Sequence, residues 1–105
     1  MTPFTEGQEE RIREAVRSRI KEYSNNCRDA GFNLTISPFT DAESHVVSIG
    51  TSILATKWGI GYPGGSFVQA VVDNNLTETF SRADGVNLNC IRFYVYLIYN
   101  QSYVS

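Results

Sequence analysis

The stretch GIGYPGGSF at positions 59–67 contains the residues most suggestive of ligand chemistry. Its glycines and proline precede an apolar run, and a glycine-rich turn before a helix can offer backbone N–H groups to an anion. The predicted anion or nucleotide site consists of Gly64, Gly65, Ser66, Lys57, Arg82 and Arg92. The turn lacks the Lys-Ser/Thr ending of a P-loop and the spacing of a dinucleotide fingerprint. The stronger interpretation is therefore structural: Gly64 and Gly65 serve backbone geometry and close packing, because Pro63 is suited to fix a turn and a glycine after it can take positive φ at little cost.

A second candidate surface is a group of tyrosines in one short stretch: Tyr94, Tyr96, Tyr99 and Tyr103. A chain of 105 residues has too small a core to bury so many of them comfortably. Tyrosine is favoured at interfaces because it covers much area and keeps a polar tip. The tyrosines therefore predict a homo-oligomer, with a contact to another protein as the second choice.

A third candidate is a basic strip on the first predicted helix. Arg13, Arg17, Lys21 and Arg28 fall within about 80° when they are placed at 100° per residue. Nearby glutamates partly balance these charges, so a solvated face is the favoured interpretation. A contact strip for an acidic partner is the alternative.

Neither catalysis nor metal binding is predicted. The single His45 and the distant Cys27 and Cys90 supply no metal-ligand set, and no nucleophile–base pair or carboxylate pair stands out. The cysteines are expected to be buried thiols in a reducing compartment. A net charge of −2 gives no electrostatic reason to expect nucleic acid binding. No apolar run is long enough for a membrane span, and the acidic start is unlike a signal peptide, so a cytoplasmic location is expected.

The clearest element that could position these residues is an amphipathic helix predicted over residues 5–30. Thr5 and Gln8 form a capping-box pattern at its start. Apolar residues then recur at spacings of three and four, and Gly31 is a typical stop.

Further helices are predicted after residues 32–37, which are interpreted as a linker or a short edge strand. A capping-box pattern opens a second helix that runs to about Trp58. After the Gly-rich turn a third helix begins, and Asn75 with Glu78 opens a short fourth helix that reaches Ala83.

The last apolar segment, residues 90–99, is ambiguous. As a strand it places Ile91, Phe93, Val95, Leu97 and Tyr99 on one side, and its residue types favour β structure. As a helix it presents Leu88, Ile91, Val95 and Ile98, but apolar residues surround that face. Periodicity alone leans slightly to the strand.

Residues 60–100 resemble a group of short proteins from bacteriophage and prophage genomes, most of them without an assigned function. The matching positions are Pro63, Gly64, Phe67, Ala70, Val71, Asn75, Leu76, Arg82, Ala83, Asp84 and Asn87. The resemblance implies a compact helical unit, which tips the last segment to helix. It also implies a viral accessory protein that acts inside a bacterial host, and it supplies no catalytic residues.

Together these patterns predict a single-domain, mainly α protein over residues 1–105, with α+β (strands at 32–37 and 90–99) as the alternative. The expected function is non-enzymatic: binding and inhibition of a host macromolecule, with a defence component as the target. The alternative is a protein that sequesters a nucleotide signal at a subunit interface. No cofactor is expected.

Overall fold

A computed structural model of the chain describes residues 2–29, 43–83 and 85–105, and the side chains of all of these except 24–29 and 85–89. Five helices follow one another along the described residues, and no sheet is present among them. They are α1 (Gln8–Asp29), α2 (Glu43–Trp58), α3 (Ser66–Val72), α4 (Leu76–Arg82) and α5 (Gly85–Asn100). The prediction of a mainly α protein with a long first helix is confirmed.

Helix α1 begins slightly later than its capping-box pattern predicts. Gly7 precedes it, and the Arg11 N–H donates to the Gly7 carbonyl at 3.1 Å. Thr5 and Gln8 still form half of the predicted box, because the Thr5 N–H donates to Gln8 Oε1 at 3.0 Å. The inward side of α1 carries the predicted apolar stripe, whose buried members are Ile12, Val16, Ile20 and Tyr23.

Helix α2 lies at the centre of the bundle, with α1, α3 and α5 packed against it. Its buried side chains join those of the neighbouring helices in one hydrophobic core. Full burial of one aliphatic or aromatic side chain stabilises a fold by about 1.5–3 kcal/mol. The shared core therefore fixes the relative positions of α1, α2 and α5.

Residues 90–99 belong to helix α5, so the strand alternative for this segment is wrong. The face predicted for this helix is only partly correct: Ile91 is buried and Ile98 packs against the core, but Val95 is about half exposed. Cys90, Tyr94 and Leu97 are buried as well. The segment is apolar nearly all round, so contacts with α1 and α2 decide which side faces inward. The other predicted strand, residues 32–37, lies outside the described residues.

Helices α3 and α4 are short and are joined by a tight turn. Asn74 takes a φ of 59°, and the Asn75 N–H donates to the Ala70 carbonyl at 2.9 Å, as in a Schellman motif. The Asn75 side chain then accepts a hydrogen bond from the Glu78 N–H at 3.1 Å, which confirms the predicted cap. Among the described helices α4 packs mainly against α3, so it lies at the edge of the bundle.

Candidate binding surfaces

The Gly-rich turn begins as the C-terminal cap of α2. Gly59 takes a φ of 70°, and the Ile60 N–H donates to the Ala55 carbonyl at 3.0 Å. Glycine adopts this left-handed conformation at the least cost, and it is the usual residue at this position of a Schellman motif. The first glycine of the stretch therefore ends a helix.

Gly64 occupies a position where a side chain has no room. A Cβ here would lie 2.4 Å from Val68 Cγ1 and 2.6 Å from Ser52 Oγ. The Gly64 N–H donates to Thr56 Oγ1 at 3.0 Å. This N–H group is therefore engaged inside the protein rather than offered to an anion.

Neither Gly64 nor Gly65 adopts the positive φ that a glycine after Pro63 can take. Within the stretch, the described glycines with positive φ are Gly59 and Gly61. Gly65 has an ordinary φ of −71° at the start of α3, and a Cβ there would meet open space. Close packing thus explains Gly64 but not Gly65.

Two of the basic residues predicted to join an anion site have structural partners. Lys57 Nζ donates to the Ile98 carbonyl at 2.9 Å, near the end of α5. Arg82 forms an ion pair with Glu78 one turn earlier in α4, with 3.1 Å between Nε and Oε2. Arg92 is exposed on α5. These contacts favour the structural interpretation of the turn over the nucleotide site.

The basic strip of α1 is partly neutralised by its own helix. Arg13 pairs with Glu9 at 3.3 Å, and Arg17 pairs with Glu14. Lys21 is exposed, and the side chain of Arg28 lies outside the described residues. Exposed pairs of this kind contribute about 0–1 kcal/mol. The geometry agrees with a solvated face, and a contact with an acidic partner stays a prediction.

The tyrosines predicted as one interface divide between the core and the surface. Tyr94 is 0% exposed and packs against Phe67 and Phe93, with ring centroids 5.9 Å away in both cases. Its assignment to an interface is corrected, because a side chain enclosed by its own protein cannot contact another. Tyr99 is 85% exposed, and Tyr103 is also exposed. These two remain candidates for an interface.

Tyr96 is half-buried and lies between α5 and α1. Its ring packs on Tyr23 at 5.1 Å between centroids, and its hydroxyl donates to Glu22. Arg19 binds the same carboxylate at 3.1 Å. Tyr96 thus contributes to the contact between the two helices, and its assignment to an interface stays a prediction.

We expect the ionisation of Tyr96 to lower the free energy of unfolding at alkaline pH. Burial, and then the hydrogen bond to Glu22, raise the pKa of Tyr96 above its usual 10.0. The unfolded chain therefore loses the Tyr96 proton at a lower pH than the folded protein does. The contribution of Tyr96 to the free energy of unfolding is fully present below pH about 10 and is lost as the pH rises through the folded-state pKa. Urea denaturation from about pH 9 to 11 should show a shallower decline for Tyr96→Phe than for the parent. Equal slopes for the two proteins would assign the alkaline loss to other groups.

An apolar surface that the sequence did not indicate lies on α4. Leu76 is 69% exposed and Phe80 is 50% exposed, whereas the neighbouring Thr79 is buried. The spacing of four residues shows that Leu76 and Phe80 share a face. It does not show which way that face points, because the orientation depends on packing against α3.

The sequence matches no protein-family model, and comparisons with curated proteins and with solved structures found no match either. Within residues 2–29, 43–83 and 85–105, no helix is long and apolar enough to cross a membrane. No cluster of three His, Cys, Asp or Glu side chains suited to a metal ion occurs in the same part of the chain.

Proposed function

We propose that this chain is a non-enzymatic binding protein that docks on another protein through the outward face of α4. The supporting observation is that α4 exposes two apolar side chains, Leu76 and Phe80, while its polar Thr79 is buried. Surface helices normally turn apolar residues inward and polar residues outward. An exposed apolar face is a common mark of a protein–protein contact.

The energetics of such a contact are favourable for so short a helix. Burial of an exposed Leu or Phe side chain contributes about 1.5–3 kcal/mol. The cap at Asn75 and the Arg82–Glu78 ion pair hold α4 in shape before binding. A preformed helix loses less conformational entropy when it docks.

The resemblance of residues 60–100 to phage proteins supports a bacterial host protein as the target. On this proposal the chain inhibits a host defence component by occupying it, in the host cytoplasm. The α4 face lies within the segment that carries the resemblance, since Asn75, Leu76 and Arg82 are among the matching positions.

Capture experiments with paired variants test this proposal. The double variant Leu76→Ser/Phe80→Ser should capture its target from a bacterial lysate at least about 10-fold less than the parent, because each lost anchor costs about 1–2 kcal/mol of binding. Its thermal melt should stay close to that of the parent, since both side chains are exposed.

Tyr62→Ser is the matched control, because Tyr62 is an exposed aromatic residue outside α4. It should capture the same protein as the parent in the same amount, as quantified by mass spectrometry. Equal capture by the parent and the α4 double variant would contradict the proposal.

A further inference from the structure

Residues 101–105 lie against α1 and α2 without forming a helix or a strand. Backbone hydrogen bonding ties this segment to α5 only where the Gln101 N–H donates to the Leu97 carbonyl at 3.0 Å. Beyond that point, contacts with side chains of α1 and α2 hold the segment. An extended segment held in this way is bound as a peptide is bound by a receptor.

Gln8 of α1 makes the most specific of these contacts. Its side chain is 1% exposed, and Nε2 donates both to Tyr103 Oη at 3.0 Å and to the Val104 carbonyl at 2.9 Å. The Oε1 atom accepts from the Thr5 N–H at 3.0 Å, which fixes the direction in which the amide points. The buried amide thus recognises a tyrosine hydroxyl and the backbone carbonyl of the following residue.

Arg11 and Trp58 bind the segment on either side of this amide. Arg11 Nε donates to the Ser105 carbonyl at 2.7 Å, and the same guanidinium is anchored on the Glu6 carbonyl at 3.2 Å. The ring of Trp58 meets that of Tyr103 edge to face, with centroids 5.1 Å apart. Val104 is half-buried against the core between these contacts.

We propose that Gln8, Arg11 and Trp58 form a peptide-binding groove, which residues 103–105 of the same chain occupy in this structure. The groove also accepts the same segment of a second copy. A second copy offers a segment with the same side chains and carbonyls, so exchange between copies conserves every contact. If the groove were emptied, the Gln8 amide would exchange its hydrogen bonds with Tyr103 and Val104 for water, and Trp58 would lose its contact with the Tyr103 ring. An equivalent segment from a second copy restores all of these contacts.

The protein concentration determines whether the groove is filled by the segment of the same chain or by that of a second copy. The attached segment competes at an effective concentration on the order of millimolar, so the closed monomer predominates at micromolar protein. Substitutions that weaken binding of the attached segment should open the groove to a peptide added from solution, because the fraction of molecules with an unoccupied groove then rises.

The first experiment uses the full chain with the substitutions Tyr103→Ala and Val104→Asp, and the peptide NQSYVS of residues 100–105 with both ends blocked. Trp58 is the only tryptophan of the chain, and its fluorescence reports on the groove. The double variant should show saturable binding below about 5 mM peptide, and the parent should bind at least about 10-fold more weakly. The control peptide NQSAVS should not bind.

Two outcomes of this experiment would overturn the site. One is a folded double variant that shows no saturable binding. The other is a double variant that loses its helical circular dichroism, since the segment would then be an indispensable part of the fold.

Sedimentation equilibrium tests the second copy as the source of the segment. Between about 10 μM and 1 mM the parent should show a rising dimer fraction, and the double variant should remain monomeric. A parent that is monomeric throughout would overturn exchange between copies. Dimers of equal strength in both proteins would place the interface elsewhere, for example at Tyr99, and would overturn it as well.

Discussion

Replacement of Tyr94 by alanine should lower the free energy of unfolding by about 3–5 kcal/mol, the range typical of large aromatic side chains removed from a core. Tyr94 is 0% exposed and contacts Phe67 and Phe93, so its removal leaves a cavity that the neighbours cannot fill completely. Tyr99→Ala should change the same quantity by less than about 0.5 kcal/mol, because its ring lies in solvent. Urea denaturation followed by circular dichroism measures both values.

A loss of this size is a large part of the total stability of a small domain. If Tyr94→Ala does not fold, Tyr94→Phe retains the ring and should fold. A Tyr94→Ala protein that is as stable as the parent but differs in sedimentation would instead place Tyr94 in an interface between chains.

The second large effect is expected at Gly64. Gly64→Ala should destabilise the protein by about 1–3 kcal/mol, the usual cost of an added methyl group in a filled space. The new Cβ would lie 2.5 Å from the Cβ of Val68, a branched side chain that α3 holds in the core. Gly65→Ala is the matched control in the adjacent position. Its surroundings are open and its φ is ordinary, so the added methyl group meets no steric obstacle. Because Gly65 is the N-cap of α3, where alanine is disfavoured, the gain from a stiffer unfolded chain is offset and the change should stay within about 1 kcal/mol in either direction.

The same two variants test the nucleotide hypothesis. Thermal melts with and without cyclic and linear nucleotides should show no ligand-induced stabilisation for the parent, Gly64→Ala or Gly65→Ala. A parent protein that nucleotides stabilise, together with a Gly65→Ala variant that melts normally but has lost this response, would restore the anion site at the start of α3.

Local sequence signals predicted most of the helical elements. The stripe of Ile12, Val16 and Ile20 repeats at helical spacing, and one side of α1 is buried as that spacing requires. The cap at Asn75 is a contact between residues only three positions apart, so it too is encoded locally. Such features depend little on the rest of the fold.

The side of α5 that faces the core could not be predicted in the same way. Its residues are apolar on nearly every side, so the spacing alone does not distinguish the buried Tyr94 from the exposed Tyr99. Once a helix is accepted, Cys90, Tyr94 and Leu97 do share a face, and Tyr99 lies well away from it. The choice of that face as the inner one still depends on α1 and α2.

Gln8 illustrates what local patterns omit. Its capping-box position predicted a contact with Thr5, and that contact is present. Its two other hydrogen bonds reach Tyr103 and Val104, which no short-range pattern connects with it. The groove was therefore missed, although Gln8 had been assigned to a helix cap and Tyr103 to an interface.

The separation of these partners also bears on the order in which the molecule can assemble. Gln8 is 95 residues from Tyr103 and 96 residues from Val104. Helix α1 can form early, since its hydrogen bonds are local, but its apolar stripe must wait for α2 and α5 to supply a surface on which to pack. On the ribosome, α1 is synthesised before the other described helices, but its tertiary contacts are completed last. The chain must be made through residue 104 before the Gln8 amide can meet all its partners. Until α2 and α5 have been made, the nascent chain exposes the stripe of Ile12, Val16 and Ile20, which is the kind of transient apolar surface that chaperones bind.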